Sequence, residues 1–170
     1  SIAAALSGAL DLDGFGDGGE VIIPNYTFIA TASAPLDRRC SVAFVDIDPD
    51  NFTIDPGAIE EAIDVSKTRA IIPVHLGGHP ADMDEINKIA EKHGLAVIED
   101  CAQAHGAEYK GKKVGSLGSA GAFSFQSSKN LTSGEGGIVV TNDKDINDRV
   151  YAFMNVGRRP GGARWEYPRM

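Results

Sequence analysis

Two kinds of hydrophobic pattern alternate along most of the chain. Continuous apolar runs rich in β-branched residues predict six strands, over residues 20–23, 42–46, 70–74, 95–99, 120–125 and 137–141. Apolar residues at helical spacing predict helices over residues 56–63, 83–93 and 143–154. Strands that are apolar throughout and joined by helices are typical of a parallel or mostly parallel sheet covered by helices on both faces. The pattern therefore predicts an α/β fold.

The ends of the predicted helices carry residues that suit those positions. Asp55 and Asp82 stand where a side chain accepts from the free amides of the first turn, and Asn142 or Asp143 begins the last helix. Gly94 follows the second helix, where a left-handed residue commonly ends a helix.

Two charged residues follow neighbouring strands at the edge where such sheets bind ligands. Asp100 comes directly after the strand at 95–99, and Lys129 comes shortly after the strand at 120–125. One interpretation is a plain ion pair, which the residue types alone favour. The other is a Schiff-base lysine with a carboxylate that faces a pyridinium nitrogen, the arrangement that pyridoxal phosphate requires.

The composition is that of an ordinary globular domain. Of 170 residues, 42% are hydrophobic and 24% are charged, which is enough for one domain with its own core and argues against disorder. No apolar run approaches the roughly 20 residues of a membrane-spanning helix, so no membrane partner is expected. The net charge of −8 makes non-specific binding to nucleic acid unfavourable, because phosphate backbones are also negative.

Cysteine usage and the two ends of the chain bear on compartment and organisation. Cys40 and Cys101 are too few for a disulfide framework and are predicted to be small buried side chains in a reducing compartment. The first basic residue is Arg38, so the apolar start lacks the positive region of a signal peptide and a cytoplasmic location is expected. Four late arginines divide the chain into a core over residues 1–155 and a basic terminal segment over residues 156–170. A solvated terminus is favoured over an arm that contacts an acidic partner.

An ordered series of segments resembles one enzyme family over nearly the whole chain. The segments read GGEVIIPNYTFIATASA, FVDIDPDNFTID, AIIPVHLGGHPADMDEI, AVIEDCAQAHGAEYKGKKVG and FSFQSSKNLTSGEGGIVVT. They resemble the DegT/DnrJ/EryC1/StrS aminotransferases, pyridoxal 5'-phosphate (PLP) enzymes that aminate keto-sugars and keto-cyclitols. NVGRRPGGARWEY is similar to members that act on cyclitol-like rings, including scyllo-inosose aminotransferases and 3-amino-5-hydroxybenzoate synthases. The resemblance implies the large domain of the aspartate-aminotransferase-like PLP fold type I, and it reverses the preference for a plain ion pair.

The resemblance implies a role for three residues near the predicted strand ends. Lys129 matches the lysine that forms the internal aldimine and then moves a proton between substrate and cofactor carbons. Asp100 matches the carboxylate that pairs with the pyridine nitrogen, and Gln103 matches the side chain that hydrogen-bonds the phenolic oxygen. Related dehydratases carry histidine at the position of Lys129, so the lysine indicates transamination from glutamate or glutamine to a keto-sugar or keto-cyclitol.

Two further cofactor-binding residues have structural alternatives. Phe28 matches the aromatic side chain that stacks on the cofactor ring, and the alternative is a phenylalanine of the core. Ser124 matches a serine that contacts the phosphate, and the alternative is a strand-end serine bonded to the backbone.

Both ends of the chain depart from the family's pattern. The phosphate-binding loop, usually Gly/Ala-Thr-Ala, corresponds to residues 1–4, so Ala3 and Ala4 are expected at the phosphate and Ala3 replaces the usual threonine. The Gly-x-Asn-x-Arg-Met segment and the C-terminal small domain do not follow WEY. The resemblance implies the cofactor-binding core of a longer, homodimeric enzyme. The alternative is a non-catalytic PLP-fold domain with weak or no cofactor binding.

Metal chemistry is not expected. His75 and His79 have i,i+4 spacing, but Gly77, Gly78 and Pro80 prevent the helix that would align them. Adding Cys101 and His105 does not create a recognised ligand pattern. His105 is expected to line the substrate side or to cap the loop after Asp100.

Overall fold

Helices and strands alternate along the chain, largely where the hydrophobic pattern predicts them. A computed structural model describes residues 1–10, 18–158 and 161. The helices are α1 (Ile2–Leu10), α2 (Ala30–Asp37), α3 (Pro56–Ala62), α4 (Met83–His93) and α5 (Lys144–Met154). The strands are β1 (Glu20–Pro24), β2 (Ser41–Val45), β3 (Thr68–Ile71), β4 (Ala96–Asp100), β5 (Glu108–Tyr109), β6 (Lys112–Lys113), β7 (Ala120–Ser124) and β8 (Gly137–Val140). A 3-10 turn, Leu76–Gly78, follows β3.

Six strands form one mostly parallel sheet, as predicted. Their order is β2-β1-β3-β4-β7-β8, and only β8 runs antiparallel to its neighbour. β5 and β6 form a separate two-stranded hairpin. The chain leaves β1 toward β2 and then returns to the other side of β1 to form β3, so the direction of strand addition reverses between β1 and β3. Open α/β sheets bind ligands at such a reversal, outside the carboxyl ends of the strands.

Helices cover both faces of the sheet, which confirms the predicted layers. Val21 and Ile23 point to the face where α1 and α5 pack. Ile22, between them, points to the opposite face, where the apolar residues of α3 and α4 pack. Alternate residues of a strand face opposite sides, so a fully apolar strand supplies both cores.

The predicted helix-capping residues are confirmed. The carboxylates of Asp55, Asp82 and Asp143 each accept a hydrogen bond from a backbone amide of the first turn that follows. Gly94 ends α4 in the left-handed conformation, with a φ of 65°. The helix that was expected to extend to residue 63 ends at Ala62, because Ile63 is extended.

The sequence pattern missed α1 and α2. α1 reads IAAALSGAL, so it has no polar face to reveal a helical period. α2 reads ATASAPLD, and Pro35 lies inside it. Proline and short hydroxyl side chains are both unfavourable inside helices, so tertiary packing decides this segment.

Two expectations fall partly outside the described residues. Of the basic terminal segment at 156–170, only residues 156–158 and 161 are described, so the division of the chain at residue 155 stays a prediction. Among the described helices, none has the length and apolar character needed to cross a membrane.

Candidate active site

A cavity of about 660 Å³ opens at the carboxyl edge of the sheet. It is lined by residues that follow β1, β4 and β7 and by the first residues of α1. Its volume lies within the usual range for small-molecule sites, and it lies where the strand order reverses. The fold therefore offers a ligand site at the edge that the sequence indicates.

Six of the seven residues singled out from the sequence line this cavity. They are Ala3, Phe28, Asp100, Gln103, Ser124 and Lys129. Ala4 does not line it; its side chain is buried in the core between α1 and the sheet. Successive helical residues point about 100° apart, so Ala3 and Ala4 face different surroundings.

The carboxylate of Asp100 is buried and held in place by two donors. The Thr31 hydroxyl donates to Oδ2 at 2.8 Å, and the Ala102 amide donates to Oδ1 at 3.1 Å. Thr31 is itself buried, and its Oγ1 lies 2.8 Å from Oγ1 of Thr27. Since a carboxylate has about four acceptor positions, Asp100 keeps the capacity to accept from a ligand in the cavity.

Thr31 is a site residue that the sequence analysis did not find. It lies on α2 and is only 1% exposed, although most neighbouring side chains of that helix are exposed or half-buried. A buried threonine on an exposed helix is the signal that would identify it. That signal is readable only once α2 is known to be a helix.

Lys129 lies in the turn after β7 and is half-buried. Its backbone amide donates to the Gln126 carbonyl at 2.9 Å. Across the described part of the chain, its Nζ makes neither a hydrogen bond nor an ion pair. The plain ion pair with Asp100 is therefore not formed, and a side-chain amine is available in the cavity.

Phe28, Ser124 and Gln103 contribute different groups to the cavity. Phe28 is 68% exposed, so it is not a core side chain. The Ser124 hydroxyl accepts from the Gln126 amide at 3.3 Å, so the backbone-bonded alternative holds while the residue still lines the cavity. The Gln103 Oε1 accepts from the Gly77 amide at 2.7 Å.

Ser1, directly before α1, meets the glycine-rich segment at 132–137, which follows Lys129. A Cβ added at Gly137 would lie 2.4 Å from Oγ of Ser1 and 2.9 Å from the Phe123 carbonyl, so only glycine allows this approach. The first amides of a helix lack partners within the helix, and its dipole attracts anions.

The lining residues fit PLP. A phosphate suits the helix start, a protonated pyridine nitrogen suits Asp100, and an aldehyde suits the amine of Lys129.

Behind the cavity, Glu99 and His75 form a buried pair, with His75 Nε2 3.0 Å from Glu99 Oε2. Three backbone amides also donate to Glu99: Gly115 at 2.6 Å, Leu117 at 2.7 Å and Gly118 at 2.8 Å. Burial by itself raises the pKa of Glu99, but the hydrogen bonds from His75, Gly115 and Gly118 outweigh it and lower that pKa.

Possible metal-ligand atoms of His75, Glu99 and Cys101 lie within 4.8 Å of one another. The fold therefore brings together His75 and Cys101, two of the four residues that the sequence analysis considers for zinc. Hydrogen bonds already engage both His75 nitrogens and both Glu99 oxygens. Burial, aided by the charges of Glu99 and Asp100, raises the pKa of the Cys101 thiol, whereas a metal requires the thiolate. The cluster is therefore organised as a hydrogen-bonded network.

His105 ties the loop after Asp100 to the end of β7. Its Nε2 lies 2.8 Å from the Ser124 carbonyl. Its ring packs against Phe123 and Phe125, with centroids 5.6 Å and 5.7 Å away. Of the two roles expected for His105, this contact corresponds to the one at the loop after Asp100.

The mostly parallel sheet, with Asp100 and Lys129 lining one cavity at its edge, places the chain in the class of fold type I PLP proteins, because solved aminotransferases share this fold. The DegT/DnrJ/EryC1/StrS aminotransferase family matches residues 1–168. The chain belongs to this family.

Individual relatives agree with the assignment. The L-glutamine:2-deoxy-scyllo-inosose aminotransferase of Streptomyces fradiae is 48% identical over 155 residues, which cover 91% of this chain and 36% of that protein. The crystal structure of 3-amino-5-hydroxybenzoic acid synthase has a TM-score of 0.88 at 37% identity, covering 98% of this chain and 44% of that one. NtdA from Bacillus subtilis, solved with bound cofactor PMP, has a TM-score of 0.84 at 34% identity, covering 99% of this chain and 38% of that one. The chain thus spans about two fifths of the length of these relatives.

Proposed function

We propose that this chain is the cofactor-binding part of a PLP-dependent aminotransferase that transfers an amino group to a keto-cyclitol or keto-sugar. The observation that carries the proposal is the pairing of groups in one cavity. A lysine amine without a partner in the described structure and a buried, hydrogen-bonded carboxylate both line it.

PLP, when bound, supplies an electron sink that stabilises a carbanion at the substrate carbon. The carboxylate of Asp100 would keep a proton on the ring nitrogen, which the electron sink requires. Thr31 and the Ala102 amide already hold this carboxylate. Little reorganisation is then needed during the reaction, and such preorganised electrostatics is usually the largest contribution to catalysis.

Lys129 would act as the nucleophile that holds the cofactor and as the base that moves the proton. Both tasks require a neutral amine within reach of the reacting atoms. A carboxylate paired with Nζ would stabilise the protonated amine instead. Among the described residues, no carboxylate is paired with Nζ of Lys129. Phe28 would cover one face of the ring, and Gln103 would donate to its phenolic oxygen.

The amino donor and acceptor are proposed from the relatives. The 48% identical Streptomyces fradiae protein is named for L-glutamine and a deoxy-scyllo-inosose. We therefore expect glutamine, ahead of glutamate, as the donor and a keto-cyclitol, ahead of a keto-sugar, as the acceptor.

A homodimer is proposed from the apolar surface near the cavity mouth. Tyr26, Phe28, Ile29 and Phe52 are all more than half exposed, and the rings of Tyr26 and Phe52 lie 6.3 Å apart. A second copy of the chain covering this surface would shield it from water. Cys40 and Cys101 are buried and form no disulfide, which suits a reducing compartment and supports a cytoplasmic location.

The test is a PLP titration followed by visible absorption, with Lys129→Ala and the exposed-lysine control Lys88→Ala alongside. We expect a visible band in the parent and in Lys88→Ala, none in Lys129→Ala, and bleaching by L-glutamine. Borohydride reduction followed by peptide mapping should place the cofactor on Lys129. A folded parent without a band would contradict the proposal and support the non-catalytic PLP-fold domain.

A further inference from the structure

The buried His75–Glu99 pair has one defined protonation pattern. The Ala81 amide donates to His75 Nδ1 at 3.1 Å, so Nδ1 carries no proton and accepts. The ring proton of a neutral imidazole then lies on Nε2, which donates to Glu99 at 3.0 Å. Both side chains are 0% exposed, so bulk solvent does not reach these bonds.

This pair anchors the turn that carries Gly77. The bond from Ala81 to His75 closes the turn at 76–80 on itself, and the bond to Glu99 ties it to β4. Glu99 is in turn held by the amides of Gly115, Leu117 and Gly118. The turn is therefore fixed to the sheet through buried contacts.

Gly77 connects the anchored turn to Gln103, whose side chain lines the cavity. Its amide donates to Oε1 of Gln103 at 2.7 Å. Because the Gly77 N–H can only donate, the carboxamide must present its oxygen to Gly77 and its NH2 group elsewhere. Gln103 also lines a second cavity of about 340 Å³, together with Gly77, Ser128, Lys129 and Asn130. Among the described residues, none forms a hydrogen bond with Nε2 of Gln103.

We propose that His75 and Glu99 are positioning residues, which act through Gly77 to make Gln103 present amide donors to the active-site cavity. An acceptor on the ligand, such as a phenolate oxygen, would receive them. Without the anchor, the carboxamide could rotate and present its oxygen, which would repel that acceptor. The inference rests on the proposed function for the identity of the ligand, whereas the orientation of Gln103 is a property of the protein alone.

The first test uses the protein without cofactor and NMR. His75→Asn keeps an acceptor near the Nδ1 position but loses the donor to Glu99, and His75→Gln keeps a donor near Nε2 but loses the acceptor. We expect both to speed hydrogen exchange at the Gly77 amide by roughly threefold to tenfold, as expected when about one hydrogen bond is lost. His93→Asn and His93→Gln are matched controls, because His93 also pairs with a glutamate, at 3.2 Å from Glu60, and lies at the end of α4 that is remote from this turn. Unchanged exchange at Gly77 in folded His75 variants would overturn the inference.

A measurement on the parent keeps the inference testable if the variants fail to fold. The nitrogen chemical shifts of His75 should show a neutral ring with its proton on Nε2. A proton on Nδ1 would exclude the bond from Ala81 and would also overturn the inference.

The second test asks whether His75 acts through Gln103. We expect His75→Asn to weaken PLP binding by roughly threefold to tenfold in the parent and to have no further effect in a Gln103→Leu background. Equal effects in both backgrounds would mean that His75 is merely structural. If the parent binds no PLP, the proposed function fails, while the NMR tests still decide whether His75 supports the hydrogen bond between Gly77 and Gln103.

Discussion

Glu99 and Asp100 are adjacent buried carboxylates on β4, yet their surroundings differ. Glu99 accepts four hydrogen bonds and is 0% exposed, so its acceptor capacity is filled by the protein. Asp100 accepts two and lines the cavity. Neighbouring residues on a strand face opposite sides, which separates the two environments. A carboxylate whose acceptor positions are all used by the protein supports the fold. A carboxylate at a cavity that still has unused acceptor positions is available for chemistry.

Of the substitutions that test this difference between Glu99 and Asp100, the one at Asp100 should have the largest effect, and that effect should be on catalysis. Asp100→Asn should slow the bleaching of the cofactor band by L-glutamine about 100-fold to 1,000-fold, because a neutral amide cannot keep the ring nitrogen protonated. Stopped-flow absorbance measures this rate. Stability should change little, since the asparagine oxygen still accepts from the Ala102 amide, and its NH2 group donates to the Thr31 hydroxyl, which can also accept. A variant that reacts at the parent rate would contradict the role of Asp100.

Removing the other carboxylate should affect stability instead. Glu99→Ala leaves His75 and three amides without their acceptor, so we expect the free energy of unfolding to fall by about 3–5 kcal/mol. Urea denaturation followed by circular dichroism measures the loss. Glu91→Ala, on the exposed side of α4, is the control and should change stability by less than about 0.5 kcal/mol. Equal losses in both variants would show that the Glu99 network is not stabilising.

The smallest expected effect is on the pH dependence of stability. The pKa of Glu99 is lowered from its ordinary value of 4.5. Its contribution is therefore present in full above pH 4.5 and is lost as the pH falls through the folded-state pKa. Urea denaturation at several pH values should show a steeper loss on acidification in the parent than in Glu99→Gln. The exposed carboxylates of Asp84 and Glu108, whose pKa values are lowered by lysine partners, titrate in both proteins and cancel in the comparison. Parallel curves would count against the ionised state of Glu99.

Most of the sheet could be predicted because its signals are local. Apolar runs mark β1, β2, β3, β4, β7 and β8, and aspartates cap α3, α4 and α5 within a few residues. α1 and α2 carry no such signal, since one is apolar or small throughout and the other contains Pro35. Packing of these helices against the sheet supplies what their local sequences lack.

The candidate site divides in the same way. Asp100 and Lys129 stand at or after predicted strand ends, and the family resemblance adds Phe28, Gln103 and Ser124, so the sequence predicts all five cavity residues. The sequence does not predict the hydrogen bonds that hold these side chains, because those bonds join distant parts of the chain. Thr31 lies 69 residues from Asp100, and Gly77 lies 26 residues from Gln103.

Periodicity and capping concern residues within a turn or two of one another, and they define this chain's elements and the strand ends that carry its charged groups. The packing of strands and helices across the sheet decides which hydroxyl donates to Asp100, which turn donates to Gln103 and which carboxylate accepts four hydrogen bonds. Hydrogen bonds between such distant residues form only when the strand order and the two cores bring them together. The sequence and the family resemblance therefore single out Asp100, but only the tertiary structure shows that Glu99 accepts four hydrogen bonds from the protein and Asp100 only two.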